Sequence, residues 1–254
     1  MKEMCKQIYG YEETDVPKIF QFSSKGPLKT GERGIDFVAP GAAITEIPKW
    51  ISKNGYKISR GTSMACPNAA GAIACLLSAL KANSIEYNPT MLRLALSNTA
   101  YLPENGDKLA FGAGIIQIYA AFEYIKTFKN IILSPKIPPI ISIYESTKKA
   151  TLMKAIYLIQ NENDSISRKY CVKLNSTKTA SWNLKLVPKS AETFIEFSKT
   201  LSKNMFFVKI FTASLKSGSL NYAEIHGYDS SINPSIGPLF YLPITVKQKS
   251  SIDI

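Results

Sequence analysis

The sequence predicts two regions of different character: an α/β segment from residue 1 to about 128 and an all-β, sandwich-like domain from 129 to 254. Three observations predict it. Up to about residue 128 short apolar strands alternate with stretches of helical period, beyond it strand follows strand, and polar turn residues punctuate the second region at short intervals. The character of the chain changes between Lys126 and Asn130, and the boundary is placed there.

The elements follow in order. GIDFVAP (34–40) reads as a short apolar strand stopped by Pro40-Gly41, and KISRGTS leads into a helix from about Ser63 to Lys81. Ala69, Ala70, Gly71, Ala72 and Ala74 let that helix approach neighbouring backbone closely. Ile73, Leu76, Leu77 and Leu80 add an apolar face, so it is expected to be buried. Asn88 as N-cap and Pro89 at the first helical position open a second helix through Met91, Leu92, Leu94, Ala95 and Leu96. A third follows Gly112-Ala113-Gly114 and runs through Tyr119, Ala120, Ala121, Phe122, Tyr124 and Ile125. The second region offers IILSPKI, IISIYES, ATLMKAIYLIQ, KYCVKLN, SWNLKLVP, ETFIEFS, MFFVKIFTAS, LNYAEIHGY and LFYLPITVK, which amount to about eight short strands.

Composition narrows the function. With 254 residues, 45% hydrophobic and 20% charged, the chain has the balance of a soluble globular protein able to bury a core. The net charge of +12 is spread over single lysines, the longest basic run being Lys148-Lys149, so nucleic acid is not the expected partner. No run approaches about 18 apolar residues and the N-terminus has no apolar leader core, so no membrane partner is expected and the expected compartment is cytoplasmic. Cys5, Cys66, Cys75 and Cys171 form no CxxC pair. Cys66 and Cys75 fall on opposite sides of a helix, which makes free thiols the expectation. The sequons at Asn163 and Asn175 carry little weight without a secretory leader. No carboxylate cluster has metal-ligand spacing, and no metal or other cofactor is expected.

The run Gly61-Thr62-Ser63-Met64-Ala65-Cys66-Pro67 carries the chemistry. A serine hydroxyl is a poor nucleophile at neutral pH and needs a base, a group to orient that base, and donors for the oxyanion. A serine where a tight loop enters a helix has part of this, because its own N–H lies among unsatisfied helix N-terminal donors. Gly61 admits close approach of a substrate backbone, and Ala65 leaves room beside the hydroxyl. A tripeptide GTS alone would be an ordinary helix cap, whereas seven residues in context are specific.

The chain resembles the subtilisin-like serine peptidases. GTSMACP matches the family's nucleophile motif, FSSKGP (22–27) and IDFVAPG (35–41) look like segments that precede it, and FGAGIIQIYAA (111–121) is similar to the element that closes the catalytic domain. Within that family the nearer likeness is to a branch of giant cytosolic exopeptidases. It rests on residues 67–89, LSNTA (96–100), residues 112–125 and, past the peptidase domain, GYDSSINPSIGPLFYLPITV (227–246).

The resemblance implies the C-terminal half of a three-layer domain built on a parallel sheet, followed by a β-rich domain. It implies peptide substrates cut after the third residue from a free N-terminus, and self-association in the complete enzyme. It makes Ser63 the nucleophile and its backbone N–H one oxyanion donor. The triad histidine and aspartate precede the serine in this family, yet the single histidine, His226, follows Ser63 in the other domain and is read as a sandwich residue. The asparagine of the oxyanion hole and the acidic residues that bind a free amino terminus also fall outside this sequence by family spacing. Asn54 and Asn68 are read as turn and helix residues, and Asp15 and Asp36 have no imidazole to orient.

The chain by itself is therefore expected to be inactive, since loss of triad members costs about four to six orders of magnitude in turnover. The serine helix is also expected to expose its apolar face without the missing part of its sheet. A pseudopeptidase kept for assembly or peptide binding, and an endopeptidase of the wider family, are the competing readings.

Overall fold

The computed structural model describes residues 17–133, 140–145, 154–161, 167–175, 181–201, 204–231 and 233–250. Strands β1 (Ala42–Glu46) and β2 (Tyr56–Arg60) form an antiparallel hairpin, with Ile44 opposite Ile58. Its turn contains Asn54 and Gly55, and Trp50 near the tip is 84% exposed. Helix α1 (Thr62–Ala82) follows two residues after β2. Helix α2 (Pro89–Thr99) starts as the sequence predicts, the Asn88 side chain accepting from Met91 N–H at 2.8 Å with Pro89 in the first turn. A single-turn α3 (Lys108–Phe111) is capped by Asp107, and α4 (Ile118–Ile132) packs against both α1 and α2.

Four expectations change here. GIDFVAP is not a strand: among the described residues it makes one parallel bridge, Val38 to Ile115, because a strand exists only where a neighbouring strand takes up its hydrogen bonds. The change of composition at 126–130 lies inside α4, which continues because Phe128 and Ile132 still have a core to enter. IILSPKI accordingly begins as helix, its residues 134–137 lying outside the described ones; a short apolar run does not separate the two periods. Finally, α1 is not buried as its composition suggests, but largely exposed, as expected for the serine helix without the rest of its sheet. Only Leu76 and Leu80 of its 21 residues are buried, while Ala70, Gly71, Ala74 and Cys75 are exposed, since α4 covers one side and no layer among the described residues covers the other. By length and mean hydropathy alone α1 would pass for a membrane span, chiefly through Ile73, Leu76, Leu77 and Leu80, although Pro67, Asn68, Ser78 and Lys81 leave it without an unbroken apolar run of that length.

Among its described residues the second region contains eight strands: β3 (Ile140–Glu145), β4 (Ile156–Gln160), β5 (Ser167–Asn175), β6 (Trp182–Val187), β7 (Ile195–Phe197), β8 (Met205–Phe211), β9 (Leu220–Asp229) and β10 (Phe240–Gln248). They form two four-stranded sheets, β4-β10-β9-β6 and β3-β5-β8-β7, antiparallel throughout except for the parallel pair β4–β10. Alternation puts every second residue inside: Trp182, Leu184 and Leu186 on β6, and Phe206, Val208 and Ile210 on β8. These residues join Val172, Ile225, Leu242, Ile244 and Val246 in one core, as expected for a sandwich.

β10 departs from alternation because it is buried on both faces. Its outer face, with that of β9, lies against the α/β segment: Thr245 donates to Gly31 O at 3.0 Å, and a Cβ on Gly31 (φ 83°) would fall 2.5 Å from Tyr157 Cβ. Asn98 donates to Ile236 O and Pro238 O at 2.8 and 3.1 Å, and Tyr124 OH donates to Ile236 O at 2.7 Å. Burial pushes the Tyr124 hydroxyl up to about 12, offset in part by its hydrogen bond from Asn98, so it stays a donor at neutral pH.

Candidate active site

Ser63 is the second residue of α1 and is exposed. The turn that delivers it depends on Gly61, whose φ of 146° is closed to residues bearing a Cβ. Gly61 N–H donates to Gly41 O at 2.8 Å, tying this turn to the Pro40-Gly41 turn. Met64 and Ala65 both donate back to Gly61 O, at 3.0 and 3.2 Å. No side chain caps the helix, so among the described residues the amides of Thr62 and Ser63 are the donors left over. The positive end of α1 therefore lies at Ser63.

Pro67 adds a feature that sequence reasoning passed over. It lies inside α1, four residues after Ser63, so the carbonyl of Ser63 has no helical N–H partner. The spacing of serine and proline in GTSMACP carried that information. Asn68 donates to Pro40 O at 3.3 Å, which fastens α1 to the Pro40 turn. Beside the helix start is a cavity of about 660 Å³. Phe20, Phe37, Pro40, Phe111, Thr62 and Ala65 line part of it, while Ser63 does not belong to its wall.

The remaining candidates are not brought to the serine. Asn54 lies in the β1–β2 turn, and Asp36 is half exposed with Arg93 at 3.8 Å; Asp15 lies outside the described residues. His226 sits in β9 with Nε2 2.7 Å from Glu224 Oε2, engaged within the second domain as the sequence reading had it. Cys66, Cys75 and Cys171 are free thiols, and Cys5 lies outside the described residues. No group of metal-ligating side chains occurs among the described residues.

The exposed serine at this helix start falls within residues 8–114, which match the family model described as Subtilase family. Residues 144–247 match the model described as Tripeptidyl-peptidase II, first Ig-like domain. The chain thus joins a subtilisin-like α/β peptidase segment to an Ig-like β-sandwich of the tripeptidyl-peptidase II type.

Two relatives match across both parts within one chain. Tripeptidyl-peptidase 2 of Caenorhabditis elegans is 28% identical over 99% of this chain, and that of Arabidopsis thaliana 34% identical over 89%. This chain spans only 19% and 17% of their lengths, about a fifth. A crystal structure of tripeptidyl peptidase 2 superposes over 74% of this chain and 16% of its own, with a TM-score of 0.57 at 26% identity.

Proposed function

We propose that this chain supplies the nucleophile of a tripeptidyl-peptidase II-like serine peptidase. Ser63 attacks the carbonyl after the third residue of a peptide with a free N-terminus, and its own N–H donates to the oxyanion of the resulting tetrahedral intermediate. Collapse releases the remainder of the peptide and leaves a tripeptidyl ester on Ser63, which water cleaves. The base, the carboxylate that orients it and the second oxyanion donor come from peptidase residues outside these 254. The chain through α4 then forms the C-terminal portion of the peptidase domain, and the residues after α4 the domain that follows it. The free thiols are consistent with a cytoplasmic setting.

The observation that carries this reading is the geometry of the turn: an exposed serine at the start of α1, delivered by a glycine at φ 146° and flanked by uncapped amides. It is tested with a chimera in which these 254 residues replace the matching part of the Arabidopsis thaliana enzyme. The chimera releases tripeptides from free but not N-acetylated peptides, and Ser63→Ala lowers turnover by about four to six orders of magnitude. Retained turnover in Ser63→Ala, or an inactive chimera that folds and assembles, overturns it. The isolated 254-residue chain leaves a fluorophosphonate serine probe unreacted.

A further inference from the structure

Glu224 on β9 is fully buried, and its carboxylate is approached from both halves of the chain. Within its own domain Tyr222 OH donates to Oε1 at 2.7 Å and His226 Nε2 donates to Oε2 at 2.7 Å. From the α/β segment, Lys108 Nζ lies 2.8 Å from Oε2, and Arg33 Nη1, itself buried, lies 3.4 Å from Oε1. Arg33 also donates through Nε to Ile35 O at 3.0 Å and through Nη2 to Tyr241 OH at 3.2 Å. Burial favours the neutral acid, but the hydrogen bond from His226 and the charges of Lys108 and Arg33 outweigh it and hold Glu224 below the usual carboxylate range.

The two cations are not placed at random along the α/β segment. Arg33 begins the irregular run 33–41, and Lys108 begins α3, whose following residues grip that same run. Ala113 N–H donates to Asp36 O at 2.8 Å, Val38 N–H to Gly114 O at 3.0 Å, and Ile116 N–H to Val38 O at 3.2 Å. The far end of the run is held by Asn68, which donates to Pro40 O at 3.3 Å, and by Gly61 N–H, which donates to Gly41 O at 2.8 Å. The 33–41 run thus links Glu224, held at its first residue by Arg33, to the turn that presents Ser63, held at its last by Gly61 N–H.

We propose that Glu224 of the Ig-like domain is a positioning residue for the nucleophile: by holding Arg33 and Lys108 it fixes the 33–41 run, and through it the Gly61 turn. The consequence for catalysis rests on the reading of Ser63 given above; the mechanical coupling rests on the contacts alone. A buried carboxylate with two cations from another domain gives little net stability over an apolar contact, but it accepts only one arrangement of its partners.

Hydrogen–deuterium exchange on the 254-residue chain tests it. Glu224→Ala raises exchange in peptides spanning 33–41 and 56–66 by about tenfold or more, reporting release of the Gly61 and Val38 amides. Arg168→Met, which breaks the Arg168–Glu145 pair (2.6 Å) in the other sheet, leaves those peptides unchanged. Lys108→Arg keeps wild-type exchange where Lys108→Met does not. If Glu224→Ala does not fold, Glu224→Gln, which keeps the shape and an acceptor, gives a smaller rise at the same peptides. Unchanged exchange at 33–41 and 56–66 in the Glu224 variant that folds, or an equal rise in Arg168→Met, overturns the proposal. No activity is read, so a failed chimera assay for Ser63 leaves this outcome independent.

Discussion

Helix α1 and strand β8 are both rich in apolar residues, yet they meet opposite fates. Phe206, Val208 and Ile210 of β8 are fully buried, whereas α1 buries only Leu76 and Leu80 and presents Ala70, Gly71, Ala74 and Cys75 to solvent. Both sheets of the sandwich lie within the chain, so each apolar face meets another. Among its described residues the α/β segment brings the helices but, in place of a larger sheet, one hairpin and two isolated bridges, Val38–Ile115 and Tyr101–Ile115. Apolar composition gives a residue a reason to be buried; a second layer gives it the place.

Substitutions should follow this contrast. The largest effect is expected where the core is complete: Phe206→Ala should cost about 3–5 kcal/mol in chemical denaturation of the chain. A loss below about 1 kcal/mol would mean that the sandwich core is no better closed than the helical part.

Next is the joint between the regions. Glu224→Ala leaves Arg33 and Lys108 without their counter-charge in a buried site and should cost about 3–5 kcal/mol. The pH dependence has a defined sign: because the carboxylate is held below its unfolded value of about 4.3, its contribution is complete above that pH and is lost as the pH falls below it. Glu224→Gln should flatten the acid limb of a stability–pH curve, and an unchanged limb would assign the acid sensitivity elsewhere. A smaller effect comes from the α2 cap, where Asn88→Ala removes the bond to Met91 N–H and should cost about 1 kcal/mol by thermal melting.

Least of all should come from the exposed side of α1, where Ala74→Lys is expected to change stability of the isolated chain by less than about 0.5 kcal/mol. The same substitution in the Arabidopsis chimera sharpens the comparison: a marked loss of folding there would show that the surrounding peptidase covers this face.

The sequence by itself determined the elements whose causes are local. Asn88-Pro89 fixed the start of α2, period-two alternation fixed most strands of the sandwich, and GTSMACP fixed the serine at the start of a helix, because caps, alternation and a glycine at positive φ are decided within a few residues. Tertiary structure alone decided what depends on distant partners. It left GIDFVAP with a single bridge, carried α4 through the change of composition to Ile132, exposed most of α1, and gathered Arg33, Lys108 and His226 around the buried carboxylate of Glu224. No window of sequence contains that cluster, since Arg33 and Glu224 lie 191 residues apart and only the packing of the two regions brings their charges together.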